Sequence, residues 1–217
     1  IGHVAVHRKG FQDNQKIEYR FRDDTSIDEK IPFLPGYVSH APRVKIFGMA
    51  RSSEASRGVM IVGIDPEKEK RVSGISGYVL EDGESSYLRS GSANQVLISV
   101  SLARKLDLLV GDRMVIMLQD SHGGISAAAL TIQGLFRTPM ESFDKYTIFT
   151  GINTLRRIAD IGMDLSEITV LLDDKEKAGD TKRLLESSLG RDDLEILSWK
   201  DMAPDLVSAI KLYDSMM

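Results

Sequence analysis

The chain has 217 residues and a formal net charge of −4, from 28 Lys plus Arg against 32 Asp plus Glu. No global basic field exists to release counterions from a phosphate backbone, which argues against nucleic acid as a partner. Zero cysteines exclude disulfides, thiolate zinc and thiol chemistry and leave the redox compartment open. With 42% hydrophobic and 28% charged residues, the composition is that of a globular protein able to bury its own core.

No uncharged apolar stretch approaches the ~20 residues that span a bilayer as a helix. The segments Met114 to Leu118 and Ala127 to Ile132 are of strand length. The sequence starts at Ile1 without an initiator Met and stops at Met216 and Met217, beyond an amphipathic stretch with no closing Gly or Pro. Both ends are therefore expected to be cut points in a longer polypeptide.

In chain order, His3 to His7 (HVAVH) alternates as a strand with Val4 and Val6 inward and the two histidines toward solvent. Thr25 or Ser26 caps a short helix with Asp28 and Glu29 in its first turn, stopped near Pro32 and Pro35. Val44 to Phe47 and Val59 to Ile64 read as neighbouring strands around the polar Arg51 to Arg57 loop. Between Asp65 and about Arg137, glycines punctuate short segments and the texture becomes β-rich. There, Gln95 to Ile98 is a strand and Ser99 caps a helix with Leu102, Ala103 and Leu106 inward. Gly111-Asp112 turns into the strand Arg113 to Leu118, which pairs with Ser126 to Phe136 across the DSHGG turn, Asp120 to Gly124. Lys145 to Phe149 is a strand, and a helix from Asn153 ends at Gly162. Ile168 to Leu172 is another strand. Asp173 and Glu176 form a capping box for a helix ending at Leu189 and Gly190. Leu194 to Leu197 is the last strand, and Ser198 with Asp201 caps a terminal helix whose Leu206, Val207, Ile210 and Tyr213 share a face. The pattern is β-α-β, a β-rich middle, then β-α-β and a helix: an α+β fold in which two βαβ halves pair into one mixed sheet backed by helices.

The chemistry-bearing residues read as structural. His3 and His7 lie more than ~13 Å apart along a strand, too far to share a metal. Asp120, Ser121 and His122 contain the groups of a hydrolase triad, but as neighbours in one turn they do not converge. Asp65 to Lys70 lacks the calcium-loop frame and reads as a solvated turn. No dinucleotide or P-loop signature is present, and the scattered methionines, Met114 and Met117 among them, read as core filling. No catalytic residue, cofactor or metal is expected.

The order and spacing of several landmarks resemble a known family. These are the opener Gly2-His-Val-Ala-Val-His7, Val62-Gly-Ile-Asp-Pro-Glu67, Val96-Leu-Ile-Ser99 followed by Leu102-Ala103 and Gly111-Asp112, Gly134-Leu-Phe-Arg-Thr138, and Ser198-Trp199. Together they resemble, over nearly the whole chain, the extracytoplasmic domain of ABC-transporter permeases of the MacB, lipoprotein-releasing (LolC and LolE) and FtsX-like group. The resemblance implies a periplasmic or extracellular domain of a cell-membrane protein, inserted between two membrane helices. Its split α/β subdomain, called the porter, would comprise about 1–64 and 140–217, and the inserted β-rich subdomain, called the sabre, about 65–139. It further implies no catalysis here, ATP hydrolysis in a cytoplasmic subunit, a second permease protomer, and a periplasmic partner protein. Cargo would be a lipid, lipoprotein or other molecule, with Leu206, Val207, Ile210 and Tyr213 as the membrane-coupling helix face. The alternative reading is a substrate- or partner-binding module without a lever role. LolC-like members carry an extended hairpin arm where this chain has only Asp120 to Gly124, which puts recruitment of a lipoprotein carrier by that arm in doubt.

Overall fold

A computed structural model describes residues 2–22, 25–204 and 207, without the side chains of 25 and 26. The first third contains β1 (Val4–Arg8), α1 (Phe11–Asn14), β2 (Phe21–Arg22), α2 (Thr25–Lys30), β3 (Tyr37–Arg51), β4 (Ser56–Ile64) and α3 (Pro66–Val72). The middle contains β5 (Gln95–Ser99), α4 (Val100–Leu106), β6 (Arg113–Gln119) and β7 (Ile125–Phe136). The last third contains α5 (Glu141–Asp144), β8 (Thr147–Gly151), α6 (Ile152–Ala159), β9 (Asp164–Leu165), β10 (Glu167–Leu172), α7 (Ala178–Leu189), β11 (Leu194–Ser198) and α8 (Trp199–Met202).

Among the described residues one mixed sheet runs in the order β11-β1-β10-β3-β4-β8-β5-β7-β6, with a further pairing of β6 onto β3. Its first four strands interlock two split β-α-β units. β10 and β11 run parallel on either side of β1, and β1 and β3 run parallel on either side of β10. Helices α2 and α7 pack on each other. Their Ile27, Ala178 and Leu185 join Val4, Val6, Ile168 and Val170 in one buried cluster. The expected pairing of two βαβ halves into a mixed sheet is what forms.

Strands β2 and β9 pair apart from this sheet, and β3 with the sheet's other five strands closes into a ring, β3-β4-β8-β5-β7-β6 and back to β3. Its small lumen is filled by side chains, as a barrel of this size requires: Ile46, Ile61, Ile98, Ile116, Leu130 and Ile148 are all buried in one cluster. Outside the ring, Val62, Leu97, Phe136 and Phe149 form a second cluster with Ile75 and Leu88 over them. Strand β3 belongs to both halves. Tyr37 to Arg43 pairs with β10, Gly48 to Arg51 pairs with β6 on that same edge, and β4 lines the opposite edge from Arg43 to Arg51.

Several local expectations need correction. The strand at Val44 to Phe47 is part of a 15-residue strand, because β10, β6 and β4 supply ladder partners along all of it. His7 is buried at 1% exposure, not solvent-facing: β1 is an interior strand between β10 and β11. The helix-start aspartate is Asp174, which accepts from the Glu176 N–H at 2.9 Å, while Asp173 is taken by the Lys177 ammonium at 2.9 Å. Helix α6 ends on Asp160 in the left-handed region (φ 51°), ahead of Gly162. Asp65 to Lys70 is not a turn. Asp65 caps α3 by accepting from the Glu67 and Lys68 amides, with Pro66 in the first helical turn, the arrangement that favours helix initiation. The Ser99 cap, the Ser198–Asp201 capping box and the β6–β7 hairpin stand where the sequence places them. The cap assigned to Thr25 or Ser26 falls on side chains outside the described set.

Ring closure passes through Gly48. A Cβ there would lie 2.5 Å from the Met117 carbonyl oxygen of β6, a backbone atom that moves only if the β3–β6 ladder opens. Gly48→Val is expected to destabilise the chain by about 2–4 kcal/mol in urea denaturation. Gly58→Ala, where a Cβ meets nothing within 4 Å, should change stability by less than about 1 kcal/mol.

Candidate functional site

Two arrangements stand out, and the first is where the polypeptide enters and leaves the fold. β1 and β11 pair antiparallel with Val4 opposite Ser198, and the Trp199 N–H donates to the His3 carbonyl at 2.8 Å. Entry and exit are thus adjacent at one end of the sheet, the base. β10 also ends there, with the Leu172 N–H donating to His3 Nδ1 at 3.2 Å. β3 starts at this base, Tyr37 opposite Leu172, and carries the chain away into the ring. At ~3.4 Å per residue its 15 residues reach at most roughly 50 Å. The Ser198 capping box fixes the direction of departure: the Ser198 N–H and hydroxyl both donate to the Asp201 carboxylate at 2.9 Å.

The second arrangement is a buried ion cluster at the point where β3 passes from β10 to the ring. Arg43 donates to Glu69 of α3 through Nε (3.0 Å) and Nη2 (2.7 Å), and through Nη1 to Glu167 of β10 at 2.7 Å. Lys45 donates to the other Glu167 oxygen, and the Thr169 hydroxyl to the first. The backbone is pinned at the same level, with the Ser166 N–H on the Arg43 carbonyl and the Lys45 N–H on the Ser166 hydroxyl, both at 3.0 Å. Two cations thus face two carboxylates, joining β3, β10 and α3. The fork geometry of Arg43 fixes distance and angle together in a way a lysine does not.

Burial alone would push the Glu167 carboxyl up, but Lys45 and Arg43 reverse this and hold it well below the usual carboxylate range. Burial would pull the Arg43 guanidinium down, and Glu167 and Glu69 outweigh that, keeping it above its ordinary value. His7 sits at the edge of the cluster, stacked on Phe11 with ring centroids 5.2 Å apart. Its Nδ1 lies 3.3 Å from the Ser166 carbonyl, which only a protonated nitrogen can satisfy, and its Nε2 lies 3.6 Å from the Glu167 carboxylate. Burial, helped by Lys45 and Arg43, depresses the His7 pKa against the opposing pull of Glu167. This shift favours the neutral ring near pH 7.

No sequence motif marked this cluster, since Arg43 and Glu167 lie 124 positions apart. One signal was legible: Asp65-Pro66 opens a helix, and Pro66, Glu69 and Val72 fall on its buried face, which places a glutamate among core residues. The triad-like turn behaves as a turn. The Ser121 hydroxyl donates to the Asp160 carbonyl and His122 Nε2 meets the Asp160 carboxylate at 3.0 Å, so no nucleophile–base hydrogen bond joins Ser121 to His122. Met114 is buried in the core. Of the expected coupling face, Val207 is described, its N–H donating to the Ala203 carbonyl at 3.2 Å. Leu206, Ile210 and Tyr213, with Met216 and Met217, lie outside the described residues. Among the described residues no three or more His, Asp or Glu side chains group as metal ligands, and no helix is long and apolar enough to cross a membrane. A cavity of about 430 Å³ lies between the end of β4, the 89–93 loop and the start of α6. Its wall mixes Ile64 and Ile152 with Asp65, Arg89, Asn153 and Arg157.

Comparison with known proteins gives the following. Residues 1–188 match the family model of the MacB-like periplasmic core domain. The fold resembles the periplasmic region of MacB from Actinobacillus actinomycetemcomitans, with a TM-score of 0.61 at 14% identity over 97% of this chain and 92% of that one. It also resembles the extracellular domain of the noncanonic ABC-type transporter YknZ from Gram-positive bacteria, with a TM-score of 0.59 at 14% identity over 90% of this chain and 99% of that one.

Removing one partner of a buried ion cluster leaves the others uncompensated. Glu167→Gln is therefore expected to cost about 3–5 kcal/mol in urea denaturation at pH 7. The pH dependence has a defined sign. With its folded pKa depressed, His7 binds a proton in the unfolded state before it does in the folded one, so it subtracts stability as pH falls below about 6.5, its unfolded value. The stability advantage of the parent chain over His7→Asn, measured by urea titration, should shrink between pH 7.5 and 5. An advantage constant with pH would refute a neutral buried His7.

Proposed function

The chain belongs to the family of MacB-like periplasmic core domains, and on that premise we propose that it works as a lever. It is a periplasmic domain of a MacB-like ABC-transporter permease. In this reading the domain performs no catalysis: it converts ATP-driven movement of the permease's membrane helices into movement of an extracytoplasmic surface. The movement serves export or release of a lipid, lipoprotein or other cargo. ATP is hydrolysed by a cytoplasmic subunit, and a second permease protomer and a periplasmic partner protein complete the assembly.

The observation that carries the reading is the adjacency of entry and exit, with the Trp199 N–H on the His3 carbonyl. A body attached at two neighbouring points moves with its attachments as one piece when its interior is rigid. Rigidity between base and ring is supported by continuous β3 and by the Arg43, Glu69 and Glu167 contacts at the handover. We assign the porter role to about 1–64 and 140–217 and the sabre role to about 65–139, which supplies β5, β6 and β7 of the ring. Leu206, Val207, Ile210 and Tyr213 are assigned as the membrane-coupling face. Two protomers on one membrane cannot join by antiparallel pairing of their β11 edges, because β11 runs toward the base and such a dimer would set the two bases at opposite poles.

The test uses the full-length permease reconstituted in lipid. The 217-residue chain has no cysteine, so once any cysteine elsewhere in the permease is replaced by serine, Ser53→Cys, in the β3–β4 loop at the far end of the ring, accepts a single spin label per protomer. The distance between protomers should change between the nucleotide-free and ATP-bound states. Arg43→Met and Lys45→Met combined with Glu69→Leu and Glu167→Met, which removes both cations and both carboxylates together, should preserve ATP hydrolysis while reducing cargo export. An unchanged label distance would sink the lever reading.

A further inference from the structure

The base carries an exposed apolar loop that neither half of the fold uses. Residues 31–33 form one 3-10 turn, followed by Leu34-Pro35-Gly36-Tyr37, in which the Tyr37 N–H returns to the Leu34 carbonyl at 3.1 Å and Gly36 takes φ +73°. Pro then Gly at the two central positions is the composition of a type II turn. The loop is anchored inward by Ile31 and Leu34, both buried, while Phe33 is 89% exposed and Val38 51% exposed. Pro32 and Pro35 are exposed beside them. Two prolines and two buried anchors hold Phe33 outward with little freedom to fold back.

The position of this loop matters more than its exposure, since scattered surface apolar residues are ordinary. The Gly36 carbonyl accepts from the Asp173 N–H at 2.8 Å, three residues on from Phe33. Nearby, the Lys175 carbonyl accepts from the Trp199 indole N–H at 3.0 Å, and Trp199 is bonded in turn to His3. The loop that carries Phe33, together with Trp199 and the start of β1, therefore belongs to one end of the sheet. The Trp199 ring has the Lys175 and Lys200 ammonium groups 5.3 and 5.4 Å from its centroid. Lys200 is paired with Glu176 and Lys177 with Asp173, so the net charge here is small. This end of the sheet thus carries a projecting apolar tip and a partly buried indole, the residue types that settle at the lipid headgroup level.

We propose that the Pro32-Phe33-Leu34-Pro35 loop is a membrane-interface contact. In this assignment Phe33 inserts among the headgroups of the bilayer on which the base stands, with Trp199 at the interface beside it. The assignment rests on the lever reading only in taking the chain-end face as the membrane side. A third contact, set apart from the two chain ends, resists rocking of the domain about the line that joins them.

Lacking cysteine and holding a single tryptophan, the chain is suited to a direct test. Phe33→Cys and, as a ring-side control, Ile125→Cys (77% exposed) each take one environment-sensitive nitrobenzoxadiazole label. Each protein is tethered by a C-terminal hexahistidine tag to vesicles of phosphatidylethanolamine and phosphatidylglycerol containing nickel-chelating lipid. The label at 33 should shift to the blue and lose intensity when the lipid carries brominated acyl chains, and the label at 125 should do neither. If Trp199 is quenched by a headgroup spin label while position 33 is silent, the loop assignment is overturned and the orientation of the base stands. If both are silent, both readings fall. Equal responses at 33 and 125 also overturn the assignment, since they would report unspecific adsorption.

Discussion

A carboxylate excluded from water stays ionised only if cations replace its hydration, and Glu167 meets that condition by holding Arg43 and Lys45 against β10. Because both cations lie on β3 at the level where its partner changes from β10 to β6, one electrostatic requirement fixes the register between the two halves of the sheet. Glu69 completes the charge balance and brings α3 across the same seam. An apolar seam of equal volume could be as stable, but it would tolerate sliding by two residues, which keeps the same face inward. A bidentate guanidinium does not.

The long shared strand explains why the two halves form one body. A β-rich segment joined to its host only by two loops would swing freely. Here the segment containing β5, β6 and β7 is built into a ring with β3, β4 and β8, so relative rotation would break ladder hydrogen bonds on several strands at once. Gly48 lets β6 approach β3 closely enough to close that ring. At the other end, β1 lies between β10 and β11 with both faces covered, which is why the alternating HVAVH opener buries Val4, Ala5, Val6 and His7 alike. The adjacency of His3 and Trp199, where the chain enters and leaves the sheet, follows from this strand order. Placing β11 beside β1 sets the last ladder residue, Ser198, against one of the first, Val4.

Local chemistry in the sequence was a reliable guide wherever a single turn decides the outcome. Ser99 and the Ser198–Asp201 pair are caps because their side chains reach amides three residues away. The β6–β7 hairpin forms because Gly123 accepts the positive φ its turn requires. Alternation located β1, the segment Ile168 to Leu172 was legible as the strand that becomes β10, and the order of elements was enough for two βαβ halves in a mixed sheet. The same local reasoning misplaced Asp65 to Lys70, where an alternating charge pattern masked a capped helix with one face in the core.

What the sequence by itself determined, then, was the composition-level class, most of the elements, their caps and the split α+β pattern. Only the tertiary structure decided that β3 serves both halves of the sheet, that the middle segment closes a ring with its flanks, that His7 is buried, and that Arg43, Glu69 and Glu167 meet. The reason is the range of the forces. A cap or turn is settled by bond geometry over three or four residues, whereas the pairing of groups 124 positions apart depends on which strands become neighbours, and no local pattern encodes that.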